Sequence, residues 1–290
     1  MEEATLPRAV TPTPPGMRGE GGFPSPIRSG YAARFRRDII SRILPAPLPF
    51  AILFAASMLA GTPALAQTAG PVVEAEFMTD YRVRGLSWSD GKAAAQVYVE
   101  VPLATSIGVS AQATTLRDAR RHGGAELGLD LAATYSGQSG LLNWYGSAVG
   151  HLFAGAEGEL DYGELQAGIG GALGPADLTL SASYAPPQDA IGGSNFYARA
   201  EGRVGIWGTP FSLRGHVGHS SGNVDDPRMA ARLRPAGSYT DWALGGEYTL
   251  APMNFSLTYS DTDISRSDVT YREWGGDHGA RLVAGANIRF

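Results

Sequence analysis

Five histidines, His122, His151, His216, His219 and His278, are the side chains here best suited to bind a metal or move a proton near neutral pH. They are dispersed, with no H-x-x-x-H or H-E-x-x-H spacing, so a metal centre is not expected. His216, His219, Ser220, Ser221 and Asp225 do gather the residue types of a Ser/His/acid hydrolase. A triad is defined by mutual hydrogen bonds, however, and no G-x-S-x-G elbow accompanies this cluster. His216 and His219, three apart, would also face opposite ways on a strand. The cluster reads as a solvated loop, and no catalytic residue or enzymatic activity is expected. With no Cys in the chain, thiolate zinc sites, iron–sulfur clusters, disulfides and Cys nucleophiles are excluded. Gly pairs such as Gly123-Gly124, Gly170-Gly171 and Gly245-Gly246 open no helix, so they are not phosphate loops, and no cofactor is expected. One Lys against 22 Arg and a net charge of −5 give no basic surface for a nucleic-acid partner.

Charge at strand centres is the other chemistry the sequence offers, and its meaning depends on the elements that carry it. Ahead of those elements, Arg34, Arg36, Arg37 and Arg42 precede an apolar run, Phe50 to Ala60, followed by Gly61-Thr62-Pro63 and Ala64-Leu65-Ala66. That order is a secretory signal peptide with an A-x-A cleavage site; the run of 11 is too short for a spanning helix, which needs about 20 apolar residues. Residues 1–30 are Pro/Gly-rich and aperiodic, either disordered or upstream of the true start codon. Residues 1–66 are thus expected to be a disordered extension plus signal peptide, and residues 67–290 one domain with 16 basic and 24 acidic side chains.

After Gln67 no stretch holds helical spacing over three turns, whereas two-residue alternation recurs in twelve runs. They lie near 72–84, 93–101, 104–115, 125–135, 143–153, 161–173, 176–185, 195–206, 211–220, 240–250, 254–263 and 279–290. Leu127, Leu129, Leu131, Ala133 and Tyr135 share one face of the fourth run, with Glu126, Gly128, Asp130 and Ala132 on the other. Such runs are about twice the usual strand of a soluble sandwich and match the roughly ten tilted residues that cross a hydrocarbon layer. The odd-numbered connections are long and polar and the even ones mostly short, 136–142 excepted, as in an outer-membrane barrel with external loops and periplasmic turns. Trp88, Tyr98, Tyr135, Trp144, Tyr145, Tyr162, Tyr184, Trp207, Trp242, Tyr248, Tyr259 and Trp274 cluster toward strand ends and predict interfacial aromatic girdles. The expected fold is therefore all-β: a transmembrane antiparallel up-and-down β-barrel of about 12 strands. Leu282, Ala284, Ala286, Ile288 and the terminal Phe290 share one face of the last run. An aromatic ending an alternating strand resembles the signal by which barrel-assembly machinery recognises its clients.

Alternation turns Glu100, Glu126, Asp130, Glu164, Arg199, Arg203, Arg214 and Arg281 inward. A barrel bears charge on that face only where its interior holds water or pairs its ions. Runs two, four and six contribute only acids, while runs eight, nine and twelve contribute five Arg, Arg289 included, against one acid, Glu201, so the sequence predicts opposite walls of opposite sign. That would be a wet, weakly selective channel or a plug of ion pairs.

The segment Thr79 to Lys92 contains Asp80, Tyr81, Arg82, Arg84, Gly85, Ser87, Ser89 and Asp90. It resembles the first-hairpin signature, roughly S/T-D-Y-x-F/V-R-G-x-S-x-S-D, of the TorF family of porins. The resemblance is carried by this fourteen-residue segment and extends over the rest of the chain only in style. It implies an outer-membrane barrel with a pore role, and carries over no substrate and no functional residues. The expected function is passage of small polar solutes across the bacterial outer membrane, with outer-membrane lipid as the surround; a barrel hydrolase and a structural or adhesive surface barrel are the alternatives.

Overall fold

The computed structural model describes residues 70–271 and 277–290. The expected extension and signal peptide over 1–66 lie outside the described residues, as does Trp274. Twelve strands close into one antiparallel barrel, each paired with its neighbours along the chain. They are β1 (Val72–Met78), β4 (Ala94–Ala104), β5 (Ile107–Ala119), β6 (Ala125–Ser139), β7 (Leu142–Ala154), β8 (Tyr162–Leu173), β9 (Ala176–Gln188), β10 (Gly193–Gly205), β11 (Phe211–Ser221), β12 (Tyr239–Leu250), β13 (Met253–Thr262) and β14 (Arg281–Arg289). The seam joins β1 to β14, with Glu74 opposite Arg289 and Met78 opposite Gly285. Two further strands, β2 (Arg82–Val83) and β3 (Leu86–Ser87), form a separate small hairpin between β1 and β4.

Closure removes the unpaired edges that would otherwise seek another chain. The alternation then decides which face meets what. Leu131 (44% exposed), Leu165 (60%) and Leu244 (66%) point outward with Phe77, Leu180, Leu213 and Leu257, making the apolar band a barrel presents to hydrocarbon. Tyr135, Trp144, Trp207 and Tyr248 lie on this outer face toward the end with short turns, and Tyr184, Trp242 and Tyr259 toward the other. Four residues expected in these girdles are elsewhere: Trp88 is buried in a core at one barrel end, and Tyr98, Tyr145 and Tyr162 have the inward parity. Alternation sets the side of a residue only once its strand is fixed in register, and a Tyr near a strand end fits either side.

Two expected boundaries also differ. Residues 136–142 are not a long connection: β6 and β7 pair out to Ser139 and Leu142, leaving a two-residue turn, Gly140 and Leu141. The Ser-Gly-Gln-Ser composition reads as loop, but Trp144 lies over Gly137 so closely that a Cβ there would meet the ring at 2.5 Å, and the ring supplies the apolar cover Gly137 lacks. The first run does not continue to residue 84; β1 ends at Met78. Beyond it, Arg84 (φ 53°), Gly85 (φ 74°), Asp90 (φ 58°) and Gly91 (φ 71°) take left-handed backbone that a strand cannot contain, and the segment turns back on itself.

The end that carries the longer connections is capped from inside. Leu86, Trp88, Leu116, Phe153, Leu160, Tyr162, Ile191, Leu233, Tyr239, Ile264 and Val269 form one buried cluster drawn from the hairpin, the strand ends and the loops. The cap includes α1 (Pro227–Ala230), started by the Asp226 carboxylate accepting from the Arg228 and Met229 amides.

Candidate functional site: the lumen and its hairpin

Asp80 organises the hairpin. Its carboxylate, wholly buried, accepts from Ser87 Oγ at 2.5 Å and Ser89 Oγ at 3.1 Å and pairs with Arg82 at 3.3 Å. Ser89 Oγ also accepts from the Tyr81 amide, and Trp88 N donates to Tyr81 O, so the two arms are locked face to face. The fourteen-position motif is thus a self-satisfied turn. Its hydrogen bonds are mostly local, which is why these residue types sit at these spacings.

The hairpin tip crosses the barrel. Arg84 donates from Nη2 to both oxygens of Glu164 on β8, at 2.7 and 2.9 Å. The Asn195 side chain on β10 accepts from Arg84 Nη1 at 2.7 Å, and the guanidinium lies 4.7 Å over the Tyr197 ring. Tyr239 Oη, on β12, donates to Arg84 O at 2.9 Å. A Cβ at Gly85 would meet Asp241 and Thr262 at 2.7 and 2.5 Å, so only glycine lets the tip approach β12 and β13 this closely. The loop between β1 and β4 therefore bars the lumen and grips the far wall.

Below the tip lies a cavity of about 590 Å³. Residues 80–85 and Trp88 form its ceiling, and Asp130, Glu164, Arg199 and Arg214 are among its lining residues. Of the other inward-parity residues, Glu100 is exposed and accepts from Tyr98 Oη, Glu126 is exposed at the opposite end of its strand, and Arg281 donates to Gly91 O beside the hairpin. Phe290, 70% exposed, donates its amide to Val73 O at the seam.

The ions are matched along the wall rather than across the lumen. Arg199 pairs with Glu201, Arg203 and Arg214 with Glu247 at 2.7 and 3.2 Å, and His151 with Asp130 at 2.7 Å. His216 pairs with Asp241 at 2.9 Å. Glu201 and Glu247 stand among the Arg, so the β10 to β12 wall is not of one sign. The hairpin supplies a further Arg to the acidic side. Alternation already turns Glu201 and Glu247 inward; what it could not show is which charge meets which, because it assigns a face without a partner.

The Ser/His/acid cluster disperses. His216 faces the lumen, His219 meets Thr240 on the outer side, and Ser220 Oγ accepts from the Asn195 side-chain amide. Among the described residues no group of three or more His, Asp or Glu is arranged to hold a metal. Arg121 and Arg232, which sequence reasoning missed, stand out in the cap together with His122, all buried. Arg121 donates to Ser87 O and Arg232 O, Arg232 to Leu160 O, and Arg232 lies 5.0 Å over the Phe153 ring. Burial draws both guanidinium groups down to about 10. Burial, with Arg232 and Arg121 adding to it, holds the His122 imidazole well below its usual range, and neither ring nitrogen has a hydrogen-bond partner.

A closed antiparallel barrel with an apolar exterior and a polar, hairpin-barred interior defines a transmembrane β-barrel protein. Residues 67–284 match the family described as bacterial protein of unknown function (Gcw_chp), and the chain belongs to that family. No curated protein matches the sequence. Among solved structures the chain is similar to the KdgM porin, at 6% identity over 76% of this chain and 99% of that one, with a TM-score of 0.48. It is also similar to Salmonella typhi OmpF in complex with daunomycin (7%; 76% and 97%; 0.43) and to Pseudomonas aeruginosa OprD (9%; 78% and 67%; 0.38).

Proposed function

We propose that this protein is a gated channel of the bacterial outer membrane that passes small polar solutes. The observation that carries the reading is a polar cavity inside an apolar-walled barrel, with one hairpin between it and the capped end. Burying so many polar side chains away from water would be costly unless the lumen is wet. The resemblance of residues 79–92 to the TorF first hairpin supports the same reading, in which that motif acts as the barrier. The longer connections would face outward and the short turns, with both ends of the barrel chain, the periplasm.

The refolded protein in a planar bilayer should give discrete conductance steps of low open probability. A barrel hydrolase or an adhesin would give a flat trace, which would end the channel reading.

A further inference from the structure

Most of the lumen's charges already have partners: Glu164 holds Arg84, Glu201 holds Arg199, Glu247 holds Arg214 and Asp130 holds His151, while Glu76, which also lines the cavity, is not among these pairs. An anionic solute would have to break one of these pairs or sit beside a carboxylate, and Glu76 adds a further acid to the same space. The wall from β7 to β9 differs, because below Glu164 its inward groups are uncharged as far as Thr179, with Asp177 beyond it at the short-turn end. Register sets Tyr145 opposite Gly168, Gly168 opposite Ser181 and Ser181 opposite Arg199 of β10; Ser147, Gln166 and Ser183 form the next row.

Within that wall, a Cβ on Gly168 would run into the Tyr145 ring. The ring therefore lies flat on bare β8 backbone, leaving its other face to the cavity it lines. Tyr197 lies over Gly218 in the same manner, but the Arg84 guanidinium covers it. A flat ring edged by an amide, two hydroxyls and a guanidinium suits a solute that is apolar on its faces and hydroxylated at its rim. Arg82 Nε, His151 Nε2 and Arg199 Nε, all in residues lining the cavity, are buried without a hydrogen-bond partner. A hydroxyl both donates and accepts, so a polyol can meet donors and carboxylates together without bringing a charge.

We infer that the luminal cavity is a binding site for a neutral sugar ring, stacked on Tyr145 and held at its hydroxyls by Gln166, Ser181, Ser183 and Arg199. Its volume, about 590 Å³, lies within the range of small-ligand sites. The inference rests on the channel reading for the sugar's route to the site.

The test is saturation-transfer NMR on the full barrel refolded in detergent, with glucose and sucrose as probes and glucuronate as the anionic comparator. At least one neutral probe should bind saturably and better than glucuronate. Tyr145→Ala should weaken it at least fivefold while Tyr145→Phe stays within twofold; Ser181→Ala should weaken it severalfold, and serves as the second variant should Tyr145→Ala lose heat-resistant gel mobility. No saturable binding of either sugar, a preference for glucuronate, or equal binding by wild type and a folded Tyr145→Ala or Ser181→Ala would overturn the site. Absent binding beside normal conductance would refute this inference alone, whereas binding without conductance would refute only the channel.

Discussion

Arg84→Ala should open the channel. In the closed arrangement the guanidinium makes two hydrogen bonds to Glu164, whose side chain is 1% exposed while that of Arg84 is 13% exposed. Removing one member of a buried pair leaves the other charge stranded, which typically costs about 3–5 kcal/mol. Glu164 keeps a hydrogen bond from Gln166 Nε2 at 2.7 Å and has His151 Nε2 at 3.6 Å, so the lower end of that range applies. With the hairpin displaced, Glu164 faces water and the penalty disappears, so the loss falls on the closed state alone. A bias of about 3 kcal/mol is roughly a hundredfold in the closed-to-open ratio. Single-channel recording in planar bilayers reads that ratio directly, with heat-resistant gel mobility as the check that the barrel has assembled. Glu164→Gln should shift it less, since a neutral amide strands no anion and leaves the Arg84 charge to be shared with the Asn195 and Tyr197 contacts. If Arg84→Ala assembles normally and its open probability matches wild type, the hairpin is not the barrier.

Topology can be checked by a protease site inserted after the exposed Ser267, which should be cut on whole cells, and one at Gly174, which should be protected. Deleting Phe290 should lower outer-membrane levels severalfold relative to a loop deletion at Ser267, measured by immunoblot of membrane fractions; equal levels would make Phe290 an ordinary residue. Arg214→Glu should assemble, since the Arg214 side chain is 41% exposed, and should move the reversal potential toward cations by setting a second carboxylate beside Glu247. Finally, His122 has a folded-state pKa below its unfolded value, so its contribution to stability is present above about pH 6.5 and is lost as pH falls through that value toward the folded pKa. Arg121, Arg232 and His151 all oppose protonation there; acid should therefore loosen the cap, seen as faster protease nicking below about pH 6, and His122→Phe should abolish that dependence.

What the sequence made legible was everything that depends on a period of two. Leu127 to Tyr135, Phe196 to Ile206 and Phe255 to Tyr259 announce their outward faces by alternation alone, and run length with loop asymmetry then selects a barrel over a sandwich. The interior was legible only as a list of charges. Alternation continued through Asp80, Arg82 and Arg84 as if β1 ran on, because a folded-in hairpin and a strand can share that pattern; the signal against it was Arg84-Gly85 followed by Ser87 and Ser89, a turn whose serines return to Asp80. The partners of the remaining ions follow from geometry that no single strand contains. Neighbouring strands lie about 4.8 Å apart, so an Arg finds a carboxylate on its own strand or two strands away long before one across the lumen, and Coulomb attraction weakens with distance. Arg199 accordingly meets Glu201 on the same strand, and Arg203 meets Glu247 two strands on. Arg84 is the exception that spans the interior, and it can do so only because a loop, not the wall, carries it to Glu164. Within this barrel, reach across the lumen belongs to the hairpin.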